Sequence, residues 1–249
     1  MGKQLNYITC IDFETGGLNC TKNPVTQVGM EIIHPITFKV IEKYSDYILP
    51  YPKKDSVGKK TRVKAVVSKR ERDDKEEELY EYTADALKYT NITMDTLYSK
   101  GKPIQEVMGN MVGMFQRANP TNARNYKTIL LGQNLIFDIG YLQHMAVYCK
   151  VDLKKYLDGA VDFYGNFQPN YFDTLHLGKV FFAPDDKTTS HKLGLMSNKL
   201  DVELVNAHDA MADVEATTGI FTKLMNNMRS SGGGSSNDFT ERVRGHFDF

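Results

Sequence analysis

Over residues 7–15 apolar and polar positions alternate with a period of two. Ile8, Cys10, Asp12 and Glu14 fall on one face of the predicted strand, and Tyr7, Thr9, Ile11 and Phe13 on the other. Both faces are largely apolar until the end, which predicts a central strand covered on both sides. Asp12 and Glu14 then stand side by side where the strand finishes, and Gly16-Gly17 ends it. Residues 25–33 and 38–49 read as two further strands joined through His34-Pro35. Three strands with short connections predict an antiparallel start to the sheet.

Helical periodicity appears at Ile104, Val107, Met108, Met111 and Phe115, with Pro103 suited to the first turn. Its methionines are expected to fill the core. Residues 128–131 form a short apolar run, predicted as a strand. A helix follows with Leu135, Ile139, Leu142, Ala146 and Cys149 on one stripe and Asn134 as the expected N-cap. Asp138 then falls in its first turn. Residues 171–177 fit either a strand or a helix start capped by Asp173. Ser190 is the expected cap of a helix over residues 193–200. The last long helix carries Ala210, Met211, Val214, Thr218, Phe221, Leu224, Met225 and Met228 at a 3.6 period. Asp213 lies near its N-terminus, where the helix dipole favours a carboxylate. Were His208 also helical, the two side chains would point about 140° apart. His208 is therefore expected on a loop at or before the cap.

Two stretches break these patterns. Residues 52–82 are first basic, from Lys53 and Lys54 through Lys69, Arg70 and Arg72, and then acidic, with Asp73, Asp74 and Glu76 to Glu78. Such an insert reads as a solvated loop or exposed helix. The alternative is a basic arm that holds a phosphate backbone with little sequence preference. Residues 63–67 fit a ribbon strand within it. Residues 230–236, Ser-Ser-Gly-Gly-Gly-Ser-Ser, have the composition of a flexible linker, natural or engineered. The tail beyond carries Phe239, Phe247 and Phe249 among charges. It reads as a disordered terminus or as a docking peptide for a partner.

The 249 residues divide into one domain over 1–229, interrupted by the insert, and the linker with its tail over 230–249. Net charge is zero, so attraction for an anionic substrate must be local. Cys10, Cys20 and Cys149 follow no metal-ligand spacing, and their odd number fits a reducing compartment. Residues 1–6 are polar and no apolar h-region follows, so no signal peptide is expected, and no apolar run approaches the roughly 20 residues a membrane span requires. A soluble, intracellular (cytoplasmic) protein with no membrane partner is expected.

Three motifs carry chemistry: Asp-Phe-Glu-Thr-Gly-Gly-Leu at 12–18, Gln-Asn-Leu-Ile-Phe-Asp at 133–138, and His-Asp-Ala-Met-Ala-Asp at 208–213. Each falls where a strand ends or a helix begins. Asp12, Glu14, Asp138 and Asp213 offer hard oxygen ligands for divalent ions, and His208 offers a neutral imidazole as a base. That is the set a two-metal phosphodiesterase needs: two ions clamp the attacking and leaving oxygens and lower the pKa of a water toward about 7. Taken singly each motif is weak; together, their order and context are specific. His34, His144, His176, His191 and His246 are isolated and read as structural. Tyr80, Tyr82 and Tyr89 are expected to pack helices, with base stacking as the alternative.

With these motifs the chain resembles the DEDDh branch of the DnaQ-like 3′→5′ exonucleases. The resemblance runs from about residue 6 to 228, apart from the insert. It includes the flanks Thr26-Gln27-Val28-Gly29 and Gly132-Gln133-Asn134. It implies an α/β, ribonuclease-H-like fold with a central mixed sheet flanked by helices. It further implies that Asp12, Glu14 and Asp213 hold one Mg²⁺ or Mn²⁺, and that Asp12 bridges to a second near Asp138. His208 is implied as the base that deprotonates the attacking water. Thr15 would bind the terminal 3′-hydroxyl through its backbone, Leu18 would wedge against the terminal base, and Asn134 and Phe137 would shape the nucleotide pocket. Departures are Gly16 for a second Thr, Gln133 for a common His, Leu135 for a small residue and Val214 for Ala. None is an implied ligand.

The expected activity is exonucleolytic hydrolysis from a single-stranded 3′ end, releasing nucleoside 5′-monophosphates, on DNA in replication or proofreading. An exoribonuclease of the same fold is the alternative, since no motif encodes contacts to the 2′-position. A third reading is a binding module that uses insert or tail to hold a DNA polymerase or another replication protein. Retention of all four carboxylates and the histidine argues against a module without catalysis, though binding and catalysis are compatible and the aromatic tail keeps a partner role open.

Overall fold

The computed structural model describes residues 7–53, 78–119, 126–183 and 190–231. The charged run of the insert, the ribbon strand expected at 63–67, His246, and the linker and tail beyond 231 lie outside these residues.

Strand β1 (Ile8–Thr15) runs through the middle of a five-stranded sheet. β2 (Val25–Ile33) and β3 (Val40–Tyr47) pair antiparallel on one side of it, and β4 (Ile129–Gly132) and β7 (Tyr171–Asp173) pair parallel on the other. A separate hairpin, β5 (Gly159–Val161) with β6 (Phe167–Pro169), sits between β4 and β7 in sequence. The mixed sheet expected from the sequence is thus present. β1 is buried on both sides because its two apolar faces meet different layers. Ile11 and Phe13, with Val28, Met30 and Ile32 of β2, pack under α3 (Ile104–Arg117) and α4 (Ile136–Cys149). Ile8 and Cys10, with Ile33 and Leu131, pack under Val214 and Phe221 of α7 (Ala210–Ser231). Helices α5 (Thr174–Phe181) and α6 (Leu193–Leu200) complete that second layer against α7.

Two short helices, α1 (Ala84–Thr90) and α2 (Met94–Lys100), were not predicted. Each is seven residues long, too short for a 3.6 period to show above neighbouring charge. Thr83 and Thr93 cap them, accepting from the Ala86 and Thr96 amides.

Three predicted helix starts need correction. Asn134 is not the cap of α4: it takes a left-handed backbone (φ 57°), and Leu135 occupies the cap without a side-chain bond. The orphan amides of that end are met by Asp173, whose carboxylate accepts from Asn134 N (2.9 Å) and Leu135 N (3.1 Å). Asp173 also caps α5 through Leu175 N at 2.9 Å, so residues 171–177 are strand and then helix. Pro103 stands at the N-cap of α3, one position before the first turn. Lys192, not Ser190, holds the N-cap of α6, and Ser190 Oγ only accepts from the Lys192 amide at 3.4 Å.

Both ends of the insert are described. Pro52 bridges Leu79 antiparallel, and Lys53 Nζ pairs with Glu78 (2.8 Å) and Glu81 (3.0 Å). Tyr80 is buried in the core against Tyr51 and against His144 and Tyr148 of α4, so it packs a helix as expected. His34 Nδ1 accepts from the Ile36 and Thr37 amides, a turn-holding role. His176 was read as isolated, yet its Nδ1 lies 3.6 Å from Asp173. Cys10, Cys20 and Cys149 form no disulfide with one another. Among the described residues no helix is long and apolar enough to cross a membrane.

Candidate metal centre and nucleotide cleft

The five predicted residues converge. β1 and β4 run parallel, and the crevice beyond their carboxyl ends is where the order of the sheet reverses, the usual place for a ligand in an open α/β sheet. Asp12 and Glu14 come from the end of β1 and Asp138 from the first turn of α4. His208 and Asp213 flank the start of α7. Asp138 Oδ1 accepts the Phe13 amide at 3.0 Å, which ties α4 to β1 between the two β1 carboxylates. Ligand atoms of Glu14, His208 and Asp213 lie within 4.8 Å of one another. His208 precedes the helix on a loop, as expected, with a left-handed backbone (φ 71°).

The start of α7 is set by residues whose role was not assigned from sequence. Asp209 Oδ1 accepts from the Met211 and Ala212 amides, both at 3.1 Å, and so caps the helix. Its Oδ2 takes a bond from Gln27 Nε2 at 2.9 Å, while Gln27 Oε1 accepts the Ala210 amide at 3.3 Å. Gly29 faces Asp12 across the β1–β2 register. A Cβ there would run into the Ala210 carbonyl. Gln27 and Gly29 thus give the Thr26-Gln27-Val28-Gly29 flank a physical meaning: they let α7 sit directly on β2 and deliver Asp213. Asp before an apolar-periodic helix is a cap signal that would have found Asp209. Gly29→Ala is expected to cost about 1–3 kcal/mol in urea unfolding, as overpacking does, and to lower any activity by displacing Asp213. A variant with wild-type stability and activity would contradict this.

Crowded carboxylates make the centre electrostatically unusual. Burial, then Asp138, Asp213 and Glu14, hold the Asp12 carboxyl well above its ordinary range. Glu14 is pushed up to about 8, by burial first and then by Asp213 and Asp138. Asp138 is also pushed up to about 8, burial outweighing the Phe13 amide and its own. Asp213 is raised by burial, with His208 opposing. Among the described residues nothing donates a hydrogen bond to the buried Asp213 Oδ1. An orphaned carboxylate oxygen among acids that repel one another fits a hard divalent cation, which would satisfy the oxygen and reverse the shifts.

A cleft of about 800 Å³ opens beside this centre, lined by His208, Asp213, Asn134, Lys192 and Tyr89 among others. Of the four predicted nucleotide contacts, only Asn134 lines it. Thr15, Leu18 and Phe137 stand around the turn after β1. There Thr15 Oγ1 (2.7 Å) and Tyr141 Oη (2.8 Å) both donate to the Gly17 carbonyl, and Phe137 packs on Tyr141. Leu18 is 88% exposed beyond that turn. No sequence signal marks Lys192 as a cleft residue, whereas for Tyr89 base stacking is the alternative to helix packing. Tyr89 is 65% exposed and lies against the His208 ring rather than packing a helix.

No protein-family model matches the chain. Its fold is similar to that of E. coli exonuclease I. The complex of that enzyme with a dT13 oligonucleotide superposes with a TM-score of 0.61 at 19% identity, over 91% of this chain and 42% of that one. The zinc-ion-bound form of the E. coli exonuclease I–single-stranded DNA complex gives 0.62 at 19% identity, over 91% and 42%. In sequence, DNA polymerase III PolC-type of Bacillus subtilis (strain 168) is 34% identical over 104 residues, 42% of this chain and 6% of the polymerase. The chain thus spans less than half of exonuclease I and a small part of the polymerase. The likeness defines the class of fold: a ribonuclease-H-like sheet with helices on both faces, as the resemblance to DnaQ-like exonucleases implied.

Proposed function

We propose that this chain is a metal-dependent 3′→5′ exonuclease that releases nucleoside 5′-monophosphates from single-stranded DNA. The observation that carries the reading is the cluster of Glu14, His208 and Asp213 ligand atoms within 4.8 Å of one another, with Asp12 and Asp138 near enough to shift with them and an orphaned carboxylate oxygen among them. The fold supports it, since exonuclease I with this fold is seen in complex with single-stranded DNA.

Asp12, Glu14 and Asp213 would hold one Mg²⁺ or Mn²⁺, and Asp12 with Asp138 a second. When bound, such ions supply positive charge to the reacting phosphate oxygens and acidify the attacking water. The chain does the rest. His208, beside Glu14 and Asp213, takes the proton from that water. The Phe13 amide holds Asp138, and the Gln27–Asp209 pair holds Asp213, so the ligands are fixed before substrate arrives. Asn134 lines the cleft beside the reacting end. Thr15, Leu18 and Phe137 flank it at the turn after β1, where the backbone of Thr15 would meet the terminal 3′-hydroxyl and Leu18 the terminal base. Lys192 offers a local positive charge to the phosphate backbone of a protein with no net charge. Because the 104 matched residues belong to a polymerase chain, we assign a replication polymerase or a related replication protein as partner class. The insert run and tail that would carry that contact lie outside the described residues.

His208→Ala is expected to lower kcat by about 10²–10⁴-fold, the range for a general base, with metal affinity nearly unchanged. Calorimetric Mn²⁺ titration beside single-turnover cleavage checks this, and loss of metal rather than rate would make His208 a ligand. The substrate class is tested with DNA and RNA oligonucleotides of one sequence. Faster shortening of the DNA from its 3′ end supports the reading. Faster RNA cleavage makes the protein an exoribonuclease, and binding of both without cleavage makes it a binding module.

A further inference from the structure

His208 occupies a difficult position for a base. It sits at φ 71° on the loop before α7, where a non-glycine backbone is uncommon. Among the described residues no hydrogen bond holds its imidazole. What touches the ring is Tyr89: the ring centroids are 4.0 Å apart and the planes tilt by 40°. Tyr89 comes from α1, on a different part of the chain from any of the three motifs.

α1 is itself referenced to the metal centre. The Thr83 amide donates to the Gly16 carbonyl at 2.7 Å, and the Glu81 amide to the Lys22 carbonyl at 3.1 Å. Gly16 lies two residues beyond Glu14, and a Cβ on it would meet Pro24 and Tyr82 at 3.0 Å, so the approach is close. Thr83 then caps the helix, and Thr90 is buried at its end. The Tyr89 ring is therefore carried on a support fixed to the same turn that follows the β1 carboxylates.

We infer that Tyr89 is a positioning residue that holds the His208 imidazole toward Glu14 and Asp213. The inference rests on the exonuclease reading and deepens it. A base on a loop samples several rotamers. A ring stacked against it removes those that point away and leaves the nitrogen aimed at the water site, and small misplacements of a reacting group are costly in rate. The tyrosine hydroxyl has no part in this, so phenylalanine serves equally. The contact also explains why a largely exposed aromatic stands at this cleft wall without core packing of its own.

Two readouts on the full chain test the inference. The first is the ¹H–¹³C NMR signal of the His208 ring, assigned by its absence in His208→Gln. It is expected to carry a ring-current shift that vanishes in Tyr89→Ala and persists in Tyr89→Phe. The second is steady-state cleavage of a single-stranded DNA oligonucleotide. Tyr89→Ala is expected to lower kcat about tenfold with KM within about twofold, and Tyr89→Phe to restore most of the rate. An unmoved His208 signal in Tyr89→Ala, or a raised KM at unchanged kcat, would overturn the inference; the latter would make Tyr89 a substrate platform. Loss of rate in His208→Gln with none in Tyr89→Ala would overturn it while leaving the nuclease reading standing. A wild-type protein that cleaves nothing would overturn the nuclease reading, and the NMR signal then decides the contact alone.

Discussion

Asp12→Ala is expected to reduce cleavage by about 10⁴-fold or more while leaving the protein folded. The rate term follows from its place. Asp12 feels Asp138, Asp213 and Glu14 together, so on the proposed reading it would help to hold the ions that act on the reacting phosphate. Removing it takes away several kcal/mol of charge stabilisation at the reacting phosphate, and about 5.5 kcal/mol corresponds to 10⁴-fold. The folding term has the opposite sign. Without metal, Asp12 is a partly buried acid beside like charges, so its loss relieves repulsion. Circular dichroism should show an unchanged spectrum, and the metal-free melting temperature should be equal or higher than wild type. Ordinary activity in Asp12→Ala would show that the carboxylate cluster is not the catalytic centre. Unfolding would show that it is a structural one.

The second large effect couples pH, metal and stability. Glu14 and Asp138 are pushed up to about 8 in the folded chain, against about 4 for free carboxyls. Between those values the folded protein binds protons that the unfolded chain has released. By linkage the stability these groups contribute is fully present below about pH 4 and is lost as pH rises through about 8. The metal-free melting temperature should therefore fall between pH 5 and pH 8.5, by roughly 5 °C or more at 2–4 °C per kcal/mol. Divalent ions bind the deprotonated set, so their effect runs the other way. At 100 times its dissociation constant, Mg²⁺ or Mn²⁺ should add about 2.7 kcal/mol at pH 8, and much less at pH 5. Thermal melts with EDTA or Mn²⁺ at both pH values check this. A metal-free melting temperature independent of pH, or an equal metal effect at both, would contradict the crowding described here.

The parts of this fold legible in the sequence were those whose burial is periodic. β3, α3 and α7 each turn one face to a layer, and β1 and β2 are covered on both faces, so their apolar residues recur at the spacing of the element or run without a break. The candidate metal centre was legible for a related reason: strand alternation put Asp12 and Glu14 together, and the motifs marked the element ends where α/β sheets place ligands. What stayed hidden is held by contacts between distant residues. Asp173 satisfies the first amides of α4 from 38 and 39 positions away, so local sequence made Asn134 look like the cap. Gln27 and Asp209 are 182 residues apart and only pair once α7 lies on β2. Tyr89 reaches His208 through α1, too short to leave a period. The expectation that tyrosines pack helices held for Tyr80, which lies on His144 and Tyr148 of α4, and failed for Tyr89, which faces the cleft. The nucleotide contacts expected of Thr15, Leu18 and Phe137 concern a turn beside the cleft, and mutation with a bound oligonucleotide is their test.

The central claim is that four carboxylates and a histidine, brought together from three parts of the chain, hydrolyse phosphodiesters from a 3′ end. A single-stranded DNA oligonucleotide labelled at its 5′ end, incubated with Mg²⁺, with EDTA and with the Asp12→Ala variant, tests it most directly. The account predicts a ladder that shortens one nucleotide at a time from the 3′ end, with wild-type protein and Mg²⁺ alone. A ladder that survives EDTA or the Asp12→Ala substitution, or one cut from within the strand, would contradict it.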